Sequence, residues 1–145
     1  MPDEPRSVST SPTPPTTGLD RLVVARAAAF GVLLAMPAAL ANVVLADQTP
    51  KPRGALNLTL MVLLVGFFVA GVAAGSAAPA QIAKHGAVAA LAVYVPVQVV
   101  GVLGRLDRGE PVQIITIFVV GFLAAWAGTV GARIGANRRA RKEST

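Results

Sequence analysis

ALNLTLMVLLVGFFVAGVAAGSAA, residues 55–78, is the stretch whose reading decides the fold. It holds no charged side chain, opens on bulky leucines and closes on GVAAGSAA, the smallest side chains available. A helix needs roughly 17–25 predominantly apolar residues to cross about 30 Å of hydrocarbon, and this stretch supplies them. Working outward, three more intervals are free of Asp, Glu, Lys and Arg: 27–46, 86–104 and 111–132. Each is again long enough for one crossing.

Composition agrees with the pattern. The 145 residues are 54% hydrophobic and 14% charged with a mean hydropathy of +0.63, whereas soluble domains are about 45–50% apolar and about 25% charged. A lipid-spanning barrel would need many alternating segments of about ten residues, and the apolar runs here are continuous. The sequence therefore predicts an all-α, membrane-spanning four-helix bundle over residues 19–136, with spans near 22–46, 55–78, 80–104 and 111–133. Residues 1–18, with five prolines among Ser and Thr, read as a disordered tail that buries too little surface to offset its ordering entropy. Residues 137–145 read as a short basic tail.

The connections are polar. DQTPKPRG, residues 47–54, is a Pro/Gly turn joining antiparallel helices, and RLDRGEP, residues 105–111, is a tight turn whose two acids and two bases cancel. Pro79 and Pro111 suit the first turns of helices three and four, where a missing N–H is harmless. Pro37 and Pro96 lie inside spans, and Pro96 predicts a bend near Tyr94. Ala39-Leu40-Ala41, after basic residues and an apolar run, resembles a signal-peptide cleavage site. The apolar run continues past it through Val43, Val44 and Leu45, which favours an uncleaved span.

Four spans put the N-terminal segment, the second connection and the C-terminal segment on one side. That side carries nine of the thirteen basic residues: Arg6, Arg21, Arg26, Lys84, Arg133, Arg138, Arg139, Arg141 and Lys142. The positive-inside rule then places both termini in the cytoplasm, which for a bacterial chain means a multi-pass protein of the inner membrane. The net charge of +6 is read as topology and attraction to anionic headgroups, at about 1 kcal/mol per residue near the surface, and not as nucleic-acid binding. Lys84 and His85 are placed at headgroup depth at the start of the third helix.

Lipid tails are as apolar as leucine, so association of spans depends on close backbone approach. Small residues recur at spacing four in every span: Ala27, Gly31, Ala35 and Ala39; Gly66, Ala70, Ala74 and Ala78 beside Gly71 and Gly75; Gly86 and Ala90; Ala124, Gly128 and Ala132 beside Gly131 and Gly135. Gly31, Gly66, Gly71, Gly75, Gly128 and Gly131 are the candidate packing residues, and the two rows of the second span are read as nearly sharing one face. Trp126 lies too deep for an interfacial anchor and is assigned to packing.

No Asp, Glu, Lys, Arg or His lies in the charge-free intervals 27–46, 55–78, 86–104 and 111–132, and no nucleophile–base set, paired carboxylate or phosphate loop is present. The absence of cysteine and the single histidine exclude thiol chemistry and a His-cluster metal site within one chain. The sequence thus predicts no enzyme and no cofactor. Asn42, Pro96 and Gln98 are the candidates for a polar pathway, because a broken helix beside a polar side chain is how transporter sites are often built. For Gln98 an interhelical hydrogen bond is the simpler reading.

GVAAGSAAPAQIAKHGAVAA, residues 71–90, resembles uncharacterised small four-span bacterial membrane proteins. In these, a glycine-rich second span leads through a short basic turn into a third span that opens near a His-Gly pair. The resemblance covers mainly residues 66–92 and implies the topology and no activity; the Ala, Gly, Val and Arg content looks actinobacterial. The chain lacks the first-span Glu of small multidrug transporters, and the Asn/Thr signature of fluoride channels cannot be placed in it. The residues lead to the expectation of a non-enzymatic membrane protein acting through helix contacts with itself or a membrane partner; the alternative is a small oligomeric channel or permease for a small solute.

Overall fold

A computed structural model describes residues 18–78 and 80–144. The tail expected over residues 1–18 falls almost wholly outside the described residues, as does Pro79. Four helices account for the fold: α1 Arg21–Ala46, α2 Arg53–Ala77, α3 Ile82–Asp107 and α4 Ile114–Glu143. All four are long and apolar enough to cross a membrane. At 1.5 Å per residue, even the 25-residue α2 reaches about 37 Å, beyond the hydrocarbon thickness.

The distribution of bulk fits a lipid solvent. The interior is built from Ala35, Ala70, Ala74, Ala89, Ala90 and Ala124, all fully buried, while Leu33, Ile115, Phe118 and Phe122 on the outside are more than 70% exposed. Water would favour the reverse arrangement; hydrocarbon does not penalise large apolar side chains on the outside. Trp126, expected to pack, is instead 61% exposed and faces outward with Phe118 and Phe122 at spacing four.

α2 packs on α1, α3 and α4, and α3 on α1 and α4, while α1 and α4 do not touch. The order around the bundle is therefore α1–α2–α4–α3, with α2 and α3 meeting across the short diagonal. Sequence-adjacent helices are antiparallel, which makes the α1–α3 and α2–α4 neighbours parallel. Both inter-helix connections within hairpins, α1–α2 and α3–α4, lie together at one end, called here the turn end. The chain termini and the α2–α3 connection form the terminal end.

This order separates the two small-residue rows of α2. Gly66 and Ala70 face α1, where a Cβ on Gly66 would meet the Ala35 methyl at 2.9 Å and one on Gly31 the Ala70 methyl at 2.8 Å. Gly71 and Gly75 face α4, where a Cβ on Gly71 would meet Gly128 Cα at 2.7 Å and one on Gly75 would meet Ala132 Cα at 2.5 Å. The rows serve different neighbours instead of sharing one face. Gly131 abuts the Phe68 carbonyl and Gly135 the Val72 carbonyl, extending the α2–α4 seam, while Gly86 and Ala90 of α3 pack on Gly128.

Helix ends depart from expectation where capping decides them. Asp20 caps α1, its carboxylate accepting from Leu22 N at 2.9 Å and Val23 N at 3.2 Å, so the helix already includes Arg21. α4 starts at Ile114, three residues after Pro111, with Gln113 as N-cap. α4 also continues through Arg133, Arg138, Arg139, Arg141 and Lys142, so the basic residues extend a helix of about 45 Å. Both prolines inside spans are accommodated: α1 is continuous through Pro37 and α3 through Pro96, which cannot donate to the Ala92 carbonyl. Ala39-Leu40-Ala41 lies inside α1, with Ala39 buried in the bundle.

Lys84 and His85 part company. Lys84 is exposed, whereas His85 is fully buried between helices at the terminal end. Gln81, left-handed at φ 48°, turns the chain into α3 and brings the imidazole against the start of α1. There His85 Nε2 accepts from the Asp20 backbone N–H at 2.9 Å, and Nδ1 lies 3.2 Å from the Gln81 carbonyl. These partners assign a neutral ring with its proton on Nδ1.

Candidate functional site

At the turn end the four helices separate around a cavity of about 440 Å³, within the size range of small-ligand sites. Asn42 of α1, Asn57 of α2 and Gln98 of α3 line it together with Lys51, Arg105, Arg108 and Glu110. Its deeper wall is apolar, formed by Ala39, Leu63, Val97 and Val120. One helical turn further in, Ala35, Phe67, Val93 and Ala124 are at most 1% exposed and close the bundle. Tyr94 completes this floor, its ring edge-on to Phe67 at 6.3 Å and its hydroxyl donating to the Ile117 carbonyl at 2.6 Å. Gly121 leaves room for that ring, since a Cβ there would stand 3.3 Å from Tyr94 Cε1. The site is a vestibule open at one end and sealed at mid-bundle.

The structure brings Asn42 and Gln98 to this one cavity; Pro96 does not line it. The interhelical bond expected of Gln98 falls to Asn42, whose Nδ2 donates to Thr59 Oγ1 at 2.6 Å while that hydroxyl donates to the Leu56 carbonyl at 2.8 Å. The Gln98 and Asn57 side chains make no hydrogen bond among the described residues. Gly31, Gly66, Gly71, Gly75, Gly128 and Gly131 all lie below, in helix contacts of the sealed part.

The rim is positively charged. The α3–α4 turn ends α3 with Gly109 at φ 66° and a bond from Glu110 N to the Arg105 carbonyl at 2.9 Å, the geometry of a glycine-terminated helix. That turn directs Arg108 and Glu110 over the cavity, where Glu110 Oε1 is 3.3 Å from both Lys51 Nζ and Arg108 Nε. Arg108 Nε is buried and out of line for a hydrogen bond, so the guanidinium is only partly satisfied. Asp107 does not line the cavity, whereas Lys51 joins from the other turn. Three cations thus face one carboxylate, in contrast to the charge balance within RLDRGEP. Sequence reading missed this because it counted charges within one turn; the signal was the antiparallel topology, which puts both turns at one end.

Hydrogen bonding from Arg108, and then Lys51, holds the Glu110 carboxyl below its ordinary value of 4.5. A depressed carboxyl pKa contributes stability above the ordinary range that is lost as pH falls through the depressed value. The melting midpoint is therefore expected to drop slightly on acidification below about pH 5, the carboxylate being partly exposed to solvent. Glu110→Gln should flatten that part of the profile. Superimposable acid profiles for variant and parent would refute the coupling.

No protein-family model, curated protein or solved structure matches the chain.

Proposed function

We propose that this multi-pass membrane protein is non-enzymatic and binds a small polar solute in the turn-end vestibule, as one open side of a permease-like path. The observation that carries this reading is the vestibule itself: amides from three helices converge in it, two of them without protein partners, above a floor sealed by Phe67 and Tyr94. Asn57 is exposed and Gln98 half-buried, so both amides are open to water or a ligand entering the vestibule. The basic residues from Arg133 to Lys142 support cytoplasmic termini in a bacterial inner membrane, with contact to anionic headgroups. On that orientation the vestibule opens to the outside.

A second reading, action through helix contacts with another copy or a membrane partner, is favoured by the outward row of Phe118, Phe122 and Trp126 on α4.

The chain has no cysteine, so single-cysteine variants test the vestibule directly. In intact cells, Asn57→Cys and Gln98→Cys are expected to react with a membrane-impermeant maleimide, and Val93→Cys to remain unmodified. Equal protection of all three would defeat the vestibule reading, and labelling of Asn57→Cys only after lysis would reverse the orientation.

A further inference from the structure

A second cavity, of about 300 Å³, runs along the outer face of α3. Tyr94, Val95, Val99 and Leu103 line it, and Gln98 and Val102 line both this groove and the vestibule. The two spaces therefore adjoin through α3, and their chemistry is opposite. The groove is apolar apart from Gln98 and Tyr94, and its Val95, Val99 and Leu103 are each more than half exposed on the lipid side. The vestibule carries Lys51, Arg105 and Arg108 against Glu110, with the buried Arg108 Nε lacking an aligned acceptor.

We propose that the two cavities together hold one anionic amphiphile, its head among Lys51, Arg105 and Arg108 and its single chain along Val95, Val99 and Leu103. This deepens the vestibule reading and rests on it. The charged rim lies next to the ends of α1 and α3, at the depth where an amphiphile's head meets water, and the groove runs inward from there along the helix. An anionic oxygen supplies the acceptor that Arg108 Nε lacks. Gln98, free of protein hydrogen bonds, stands at the junction, where its amide can donate to the linkage between head and chain. The chain gains nothing from leaving water, since it comes from lipid that is equally apolar. It contributes by holding the head at vestibule depth, which raises its effective concentration, and by fitting the groove.

The test uses the full chain in a neutral maltoside detergent, with dodecyl phosphate and inorganic phosphate as separate probes and the melting midpoint as readout. Dodecyl phosphate is expected to stabilise the parent at concentrations at least about tenfold below inorganic phosphate, from its higher effective concentration. Arg108→Gln and Arg105→Gln should each weaken the response about tenfold, the scale of one charged hydrogen bond. Glu110→Gln should strengthen it by freeing Lys51 and Arg108. Partitioning into the micelle alone would also favour the chain-bearing probe, so Val99→Trp is decisive. It fills the groove from an exposed position and should remove most of the dodecyl phosphate advantage while leaving the inorganic phosphate response intact.

An unchanged dodecyl phosphate response in Val99→Trp overturns the chain site, and indifference to both arginine variants overturns the head site. A maleimide-labelled Asn57→Cys with no response to either probe sinks the amphiphile and leaves the vestibule standing. An Asn57→Cys that stays unlabelled both in intact cells and after lysis removes both.

Discussion

Gly71→Ala is expected to lower the melting midpoint of the purified bundle, although alanine is ordinarily the better helix former by about 1 kcal/mol. The added methyl has nowhere to go. It would collide with the Gly128 carbonyl oxygen and stand 2.7 Å from Gly128 Cα, and these are backbone atoms that cannot rotate aside. α2 and α4 must move apart, which costs about 1–3 kcal/mol by the scale of overpacked cores and loosens the Gly75–Ala132 and Gly131–Phe68 contacts on the same seam. Gly71→Leu and Gly75→Leu should be worse, to the point of expanding the bundle. Gly101→Ala is the control, because nothing lies within 4 Å of its Cβ position. It should leave the midpoint unchanged or raise it. If Gly71→Ala melts like Gly101→Ala, close approach of α2 and α4 is not what holds the bundle.

His85→Leu is the second variant with a large expected effect. Leucine fills much of the space of a fully buried imidazole but offers no acceptor. The Asp20 N–H, on an exposed residue, would then lose its partner, at the cost of one net hydrogen bond, about 0.5–1.5 kcal/mol. The consequence is local as well as global, because Asp20 also caps α1 through its carboxylate. Backbone amides of residues 22–24 should exchange with solvent faster in the variant, together with a lower midpoint. His85→Gln, which retains an acceptor, should recover part of both effects. Parental exchange rates at the start of α1 in His85→Leu would show that the Asp20–His85 bond does not anchor that helix.

The four spans were legible because hydrocarbon imposes length and charge-free composition on any helix that crosses it. The small-residue positions were legible for the same kind of reason: Gly31, Gly66, Gly71, Gly75, Gly128 and Gly131 stand at spacings that place them on helix faces. Which face meets which helix was not. Periodicity fixes a residue's angle around its own axis, but the separation of the Gly66 and Gly71 rows follows from the order α1–α2–α4–α3, a property of the whole bundle. Asp20 ahead of an apolar run was a readable cap, and it explains why α1 begins at Arg21. The burial of His85 was hidden because it depends on Gln81 adopting a left-handed backbone, which a glutamine does not announce. Trp126 was misplaced by an argument from depth alone; depth does not distinguish the lipid face from the interior. In the vestibule, Asn42 and Gln98 were found as polar exceptions in apolar runs. Arg105, Arg108 and Lys51 were treated as turn residues because their convergence needs two hairpins side by side.

That side-by-side order has a consequence for biosynthesis. The glycine seam of α2 is completed by α4, which leaves the ribosome after α3, so Gly71 and Gly75 wait for their partner while two further spans are threaded into the bilayer. During that interval the nascent chain is kept together by the α1–α2 hairpin and by α3 settling against it. The close backbone junction of α2 and α4 thus forms only after the contacts among the first three helices.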